Sequence, residues 1–230
     1  MLCEARYSKG IKMKKTTITV LSVALAAFVA APGAVFGDIT SGSWTLSESN
    51  TFADGVNYGS VKIVADDVAG TITFTVNPKT QPYVDIGSNF GIDKFGFNVS
   101  NLTDTPASWS ISLPTDWTQE SSGGNLDGFG FFLVTEDGNG GSRKDPLVFT
   151  ITLSTGNESE AVVDNFVNQS TGPAGSGQMF FAAHIAGFNE GTASEDDDSH
   201  FVGAPIPAPG AVVLAGMGLG LVGWVRRRFN

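Results

Sequence analysis

The chain has 230 residues, with 23 acidic against 13 basic side chains and a single cysteine, Cys3. Between 38 and 204 the balance is five basic against 22 acidic, a net −17. That field repels nucleic acid and anionic membrane surfaces, and it suits divalent cations or cationic partners. Without cysteine in this stretch, disulfide scaffolds, thiol nucleophiles and Cys-based zinc sites are excluded.

The chain opens with a short segment that precedes a second methionine, Met13, which is the more conventional start. Lys12, Lys14 and Lys15 stand before a mostly apolar run, 16–31, and small residues follow up to Gly37. A basic, then apolar, then small-residue order has the form of a secretory signal peptide over 1–37, for which signal peptidase is the processing partner. Cleavage after Gly37 is expected, with Ala34 as the alternative site, and a retained membrane anchor is the competing reading.

From 38 onward the pattern changes to short period-two runs rich in Val, Ile, Thr and Phe, separated by Gly, Asn, Asp and Pro. Strands are predicted at 43–47, 60–64, 70–77, 90–100, 108–113, 129–135, 147–154, 161–168 and 179–188. Ile72, Phe74 and Val76 share one face of their run and threonines the other; Phe149, Ile151 and Leu153 repeat the arrangement. Such alternation means one buried and one wet face, as in an antiparallel sheet. Nine such runs and no 3.6-residue period give an all-β fold, an antiparallel two-sheet β-sandwich over 38–188. A closed antiparallel barrel is the alternative. The stretch 189–204, centred on Glu195-Asp196-Asp197-Asp198, reads as an acidic flexible spacer.

The candidate chemistry of the body is sparse. His184 is the one histidine in a predicted strand, and it reads first as a hydrogen-bonded structural residue; His200 falls in the spacer. No Gly-x-Ser-x-Gly elbow accompanies them, so a secreted hydrolase is the lowest-ranked function and no catalytic residue is assigned. Calcium is the one cofactor with a physical case: Asp137 and Asn139 offer oxygen ligands in a turn. Position 12 counted from Asp137 is Val148, which excludes an EF-hand. Trp109 alternates with Ile111 and Leu113 and reads as core. Trp117, in a loop after Pro114, is the expected exposed aromatic and the candidate sugar contact of a carbohydrate-binding module.

The C-terminus carries the most specific signal. Pro207-Ala208-Pro209 precede an uncharged, Gly-rich run from Ala211 to Val225, followed by Arg226, Arg227 and Arg228. As a helix that run would extend roughly 22 Å at ~1.5 Å per residue, short of the ~20 apolar residues of an ordinary span. The arginines would stay on the cytoplasmic side, as would the lysines before the first apolar run, which puts the body across the membrane. A plain C-terminal anchor and a glycolipid-anchor signal are the competing readings.

The order Pro-x-Pro, apolar run, arginines over 206–228 resembles the PEP-CTERM sorting signal of Gram-negative bacteria, with Ala208 in place of the family's central Glu. Two segments of the body, 124–130 and 180–185, are similar to stretches seen in uncharacterised proteins of that class. The resemblance implies that exosortase, a membrane-embedded enzyme, reads the sorting tail 205–230 and cuts it near Pro209 after transient anchoring in the inner membrane. It further implies a destination in the envelope, on the surface or in the extracellular polymer matrix, with surface polysaccharide as the expected associate.

Overall fold

The computed structural model describes residues 38–81, 83–120, 122–189 and 198–206. The signal-peptide region, residues 190–197 of the predicted spacer, and the sorting tail from 207 onward lie outside them. Among the described residues the strands are β1 (Ile39–Leu46), β2 (Glu48–Ser49), β3 (Gly59–Asp66), β4 (Thr71–Pro78), β5 (Asp85–Phe97), β6 (Ser110–Ser112), β7 (Thr118–Glu120), β8 (Gly124–Leu126), β9 (Gly130–Phe132), β10 (Val134–Asp137), β11 (Leu147–Thr152), β12 (Met179–Asn189) and β13 (Asp198–Pro205).

Eleven of them form two antiparallel sheets packed as a sandwich. One has five strands in the order β1-β3-β4-β11-β6; the other has six, β2-β13-β12-β5-β10-β7. The alternation predicted for β4 and β11 is realised in register: Phe74 lies opposite Phe149, and Ile72 opposite Ile151. Their rings stack 4.8 Å apart, and Phe74 reaches across the interface to Phe97 of the other sheet at 4.6 Å. Phe95, Phe181, Ile185 and Val202 complete the opposing inner face. Burying each such side chain stabilises the fold by roughly 1.5–3 kcal/mol.

Three sequence expectations need correction. Residues 161–168 are not a strand; they hold the 3-10 turn Val163–Phe166, which follows a first turn at Glu158–Glu160. Val163 and Phe166 are both buried, a spacing of three that fits a 3-10 turn and not a pleated strand. Residues 129–135 are not one strand but two, β9 and β10, which belong to different sheets. The break falls at Leu133, whose N–H is drawn off by Asn98 Oδ1. The third correction concerns the spacer. Residues 198–205 form β13, paired with β12 on one side and β2 on the other. Its buried residues His200 and Val202 alternate with the more exposed Ser199 and Phe201, a period-two pattern hidden beside an acidic run.

The outer face of the six-stranded sheet is partly roofed. β8 and β9 form a separate two-stranded hairpin, and Leu126, Phe129 and Phe132 pack with Met179, Ala182 and Phe201 into a second small core. The approach is close because position 96 has no side chain: a Cβ there would lie 2.9 Å from Phe132 Cγ and 3.0 Å from Leu126 Cδ1. Along the outer face of β5, Lys94, Gly96 and Asn98 therefore mark open sheet, roofed sheet and the sheet's end. Pro205 pairs with Met179, and Phe181 with Phe97. β13 thus finishes at the same end of the sheet as β5.

Candidate functional site

A polar cluster occupies the open part of this outer face. His184 on β12 pairs across with Lys94 on β5, and a bulge beside that pair turns Asp93 toward the histidine. His184 Nδ1 lies 2.5 Å from Asp93 Oδ1, and Arg143 Nε lies 3.4 Å from Asp93 Oδ2. Arg143 also donates to the carbonyl of Asn89. Phe201 covers one side of the imidazole, with ring centroids 4.4 Å apart. Next to this group, Lys94 Nζ sits 3.2 Å from both Glu120 and Asp137. Burial acts to lower the Lys94 pKa, but hydrogen bonds and charge from the two carboxylates outweigh it and leave it raised. Asp93 and His184 make the oriented acid–imidazole half of a general-base arrangement. Among the described residues no Ser, Thr or Cys side chain is hydrogen-bonded to His184.

The predicted calcium ligands are committed elsewhere. Asp137 Oδ2 binds Lys94, Asp137 Oδ1 accepts the N–H of Asn139, and Asn139 Oδ1 accepts the N–H of Gly141. These are the contacts of an Asx turn. Among the described residues no group of three or more His, Cys, Asp or Glu is arranged to hold a metal. A calcium ion at Asp137 and Asn139 would have to displace Lys94 and open the turn, so these two residues do not fit it.

Trp117 is not an exposed sugar contact. It is 6 % exposed, and its Nε1–H donates to the carbonyl of Ser142 at 2.8 Å. A Cβ on Gly138 would lie 2.1 Å from its ring. The loop after Pro114 folds the indole under the 138–142 turn, which the local sequence gave no means of foreseeing. Trp109 is buried, as expected. Pro207, Ala208, Pro209, Ala211, Val225, Arg226, Arg227 and Arg228 lie outside the described residues.

His200 was missed as a structural centre. It is 2 % exposed, enclosed by the rings of Phe52, Tyr58, Tyr83 and Phe188. Ser49 Oγ accepts the N–H groups of Thr51 and Phe52 and lies 2.9 Å from His200 Nδ1. With its oxygen so engaged, the hydroxyl donates to Nδ1, which places the imidazole proton on Nε2, facing Tyr83 Oη at 2.6 Å. Burial, with a smaller contribution from the charge of His184, pushes His200 down to about 3. It is a neutral structural histidine. Its partners Ser49 and Tyr83 are distant in sequence, so no local signal could have found them.

A groove of ≈ 370 Å³ opens where β5 ends. Asn98 anchors it: Oδ1 holds the N–H of Leu133, and Nδ2 donates to the carbonyl of Gln169 at 2.8 Å. Phe131 and Thr171 exchange both backbone hydrogen bonds along its wall. No family model, curated protein or solved structure matches the chain.

Proposed function

We propose that this chain is an exported envelope or extracellular-matrix protein, processed by exosortase, whose non-catalytic β-sandwich associates with surface polysaccharide. The observation that carries the reading is the pairing of a signal-peptide-like start with a Pro-x-Pro, apolar, arginine-rich end in one sequence. The position of the last strand supports it. β13 closes at Pro205, so the three-residue motif 207–209 follows the sheet and its removal would take no described strand with it. The experiment is the mass of the mature C-terminal peptide from envelope and medium, with and without the host's exosortase. A terminus near 207–209 that is lost in the mutant is expected. An intact Asn230 in both strains would make the tail a plain anchor and sink the reading.

A secreted hydrolase is the second reading, motivated by the contact of His184 with Asp93. Shortening of host polysaccharide by the purified protein, abolished in a folded His184→Ala variant, would favour it over association alone.

A further inference from the structure

We propose that the groove at the end of β5 is a binding site for a neutral saccharide. The proposal rests on the polysaccharide reading above and gives it a location and a ligand class.

The groove lining carries no charge: it consists of Asn98, Val99, Phe131, Leu133, Asn168, Gln169 and Thr171. In a body of net −17, an uncharged recess is a selective feature. It offers nothing to neutralise a carboxylate or phosphate, and surrounding acid disfavours anions. Its ≈ 370 Å³ lies toward the lower end of the ~300–1,000 Å³ typical of small-molecule sites.

The apolar part is a ledge. Phe132 turns inward to the hairpin core, so its neighbours Phe131 and Leu133 turn outward, and Leu133 is left 42 % exposed. The C–H face of a pyranose ring packs on such a surface, as apolar matter does on any aromatic or aliphatic side chain. The polar part is made of side chains. Gln169 and Thr171 are exposed, and among the described residues no side-chain hydrogen bond of either is made within the protein. The amide offers donor and acceptor at once, and the hydroxyl does the same. Alternating hydroxyls on a sugar need that dual capacity.

The same geometry argues against an extended peptide as occupant. Strand addition needs an open backbone edge. Here the N–H and C=O of Phe131 are taken by Thr171, the N–H of Leu133 by Asn98, and the carbonyl of Gln169 by Asn98. Recognition is left to side chains over a fixed floor.

The test uses the full-length chain in detergent, titrated calorimetrically with neutral gluco-, manno- and galacto-oligosaccharides, with uronic-acid oligosaccharides, and with the host's extracellular polysaccharide. Wild type is expected to bind a neutral oligosaccharide and the polymer. Phe131→Ala and Gln169→Ala should each weaken both by roughly tenfold. Gln169 is exposed, so its variant should melt with wild type and keeps the test valid if Phe131→Ala does not fold. Polymer binding unchanged in both variants would overturn the groove and leave the polysaccharide reading standing. Binding confined to uronic-acid oligosaccharides would overturn the neutral class. No binding to any of these probes by wild type would remove the groove and the association together.

Discussion

Glu136 on β10 and Gln119 on β7 face each other across the strand pair, and both carboxyl oxygens of the first and the amide nitrogen of the second are buried without a hydrogen-bond partner. Phe95, directly opposite Glu136 on β5, belongs to the sandwich core. The acid therefore points inward. Burial alone pushes it up to about 8, so it is held neutral where most carboxylates are ionised.

That placement predicts a loss of stability toward alkaline pH. In the unfolded chain Glu136 ionises near its ordinary 4.5, whereas in the folded chain it keeps its proton to about 8. Between these limits the folded state binds more protons than the unfolded one. Stability present below the lower limit is lost as pH rises, by roughly 1.4 kcal/mol per unit from this group. Urea midpoints should fall between about pH 6.5, above which His200 no longer offsets Glu136, and about pH 8 in wild type, and should be level over that interval in Glu136→Gln. An unchanged slope in the variant would show that the carboxyl is not the source.

His200 imposes the opposite limit. Its folded-state pKa is depressed to about 3 from an ordinary 6.5. The unfolded chain binds the extra proton between those values, so its contribution is present above the upper one and lost as pH falls. Together the two groups give stability that rises up to the ordinary value of Glu136, stays level to that of His200, and then falls. His200→Gln should flatten the acid limb. At neutral pH it should also cost about 1–3 kcal/mol, because Ser49 and Tyr83 lose a buried partner. Chemical denaturation at a series of pH values reads both effects.

Trp117→Ala should destabilise the fold by about 3–5 kcal/mol through the cavity it opens. Trp117→Phe should cost less, leaving the Ser142 carbonyl without its indole donor. Polysaccharide affinity, measured on the folded fraction, should be the same in both variants as in wild type. A selective loss of affinity at unchanged stability would return Trp117 to the list of ligand contacts.

Asp93→Ala should cost about 1–3 kcal/mol, because it leaves Arg143 and His184 without the buried carboxylate that both contact. Removing the histidine as well should then cost little more, which a double-mutant cycle in urea would show. Additive losses would mean that the pair is not coupled.

The sandwich was legible because residues such as Ile72, Phe74 and Val76 alternate over a whole strand, and alternation reports a one-sided burial directly. What it could not report is whom a residue meets. Asp93 and His184 are 91 positions apart, and their contact depends on a bulge in β5 that no residue pattern announces. Trp117 was misplaced for a related reason: its burial is made by a distant turn at Gly138, not by its neighbours. Strand β13 was hidden because its short period-two stretch, His200 to Ala204, follows directly on the acidic run Glu195-Asp196-Asp197-Asp198.

Strand β13 gives the molecule a direction. β13 and β5 are separated by β12 alone, about 10 Å at ordinary strand spacing, and both finish at the end where the groove opens. Ile206, the last described residue, therefore leaves the sheet at the end where the groove opens. On the proposed reading, a tail that anchored Ile206 at a membrane would bring that end of the sheet, and the recess with it, toward the bilayer and away from bulky polymer. Severing that tail would turn a shielded mouth into an accessible one, so that release and competence to bind would come from a single cut.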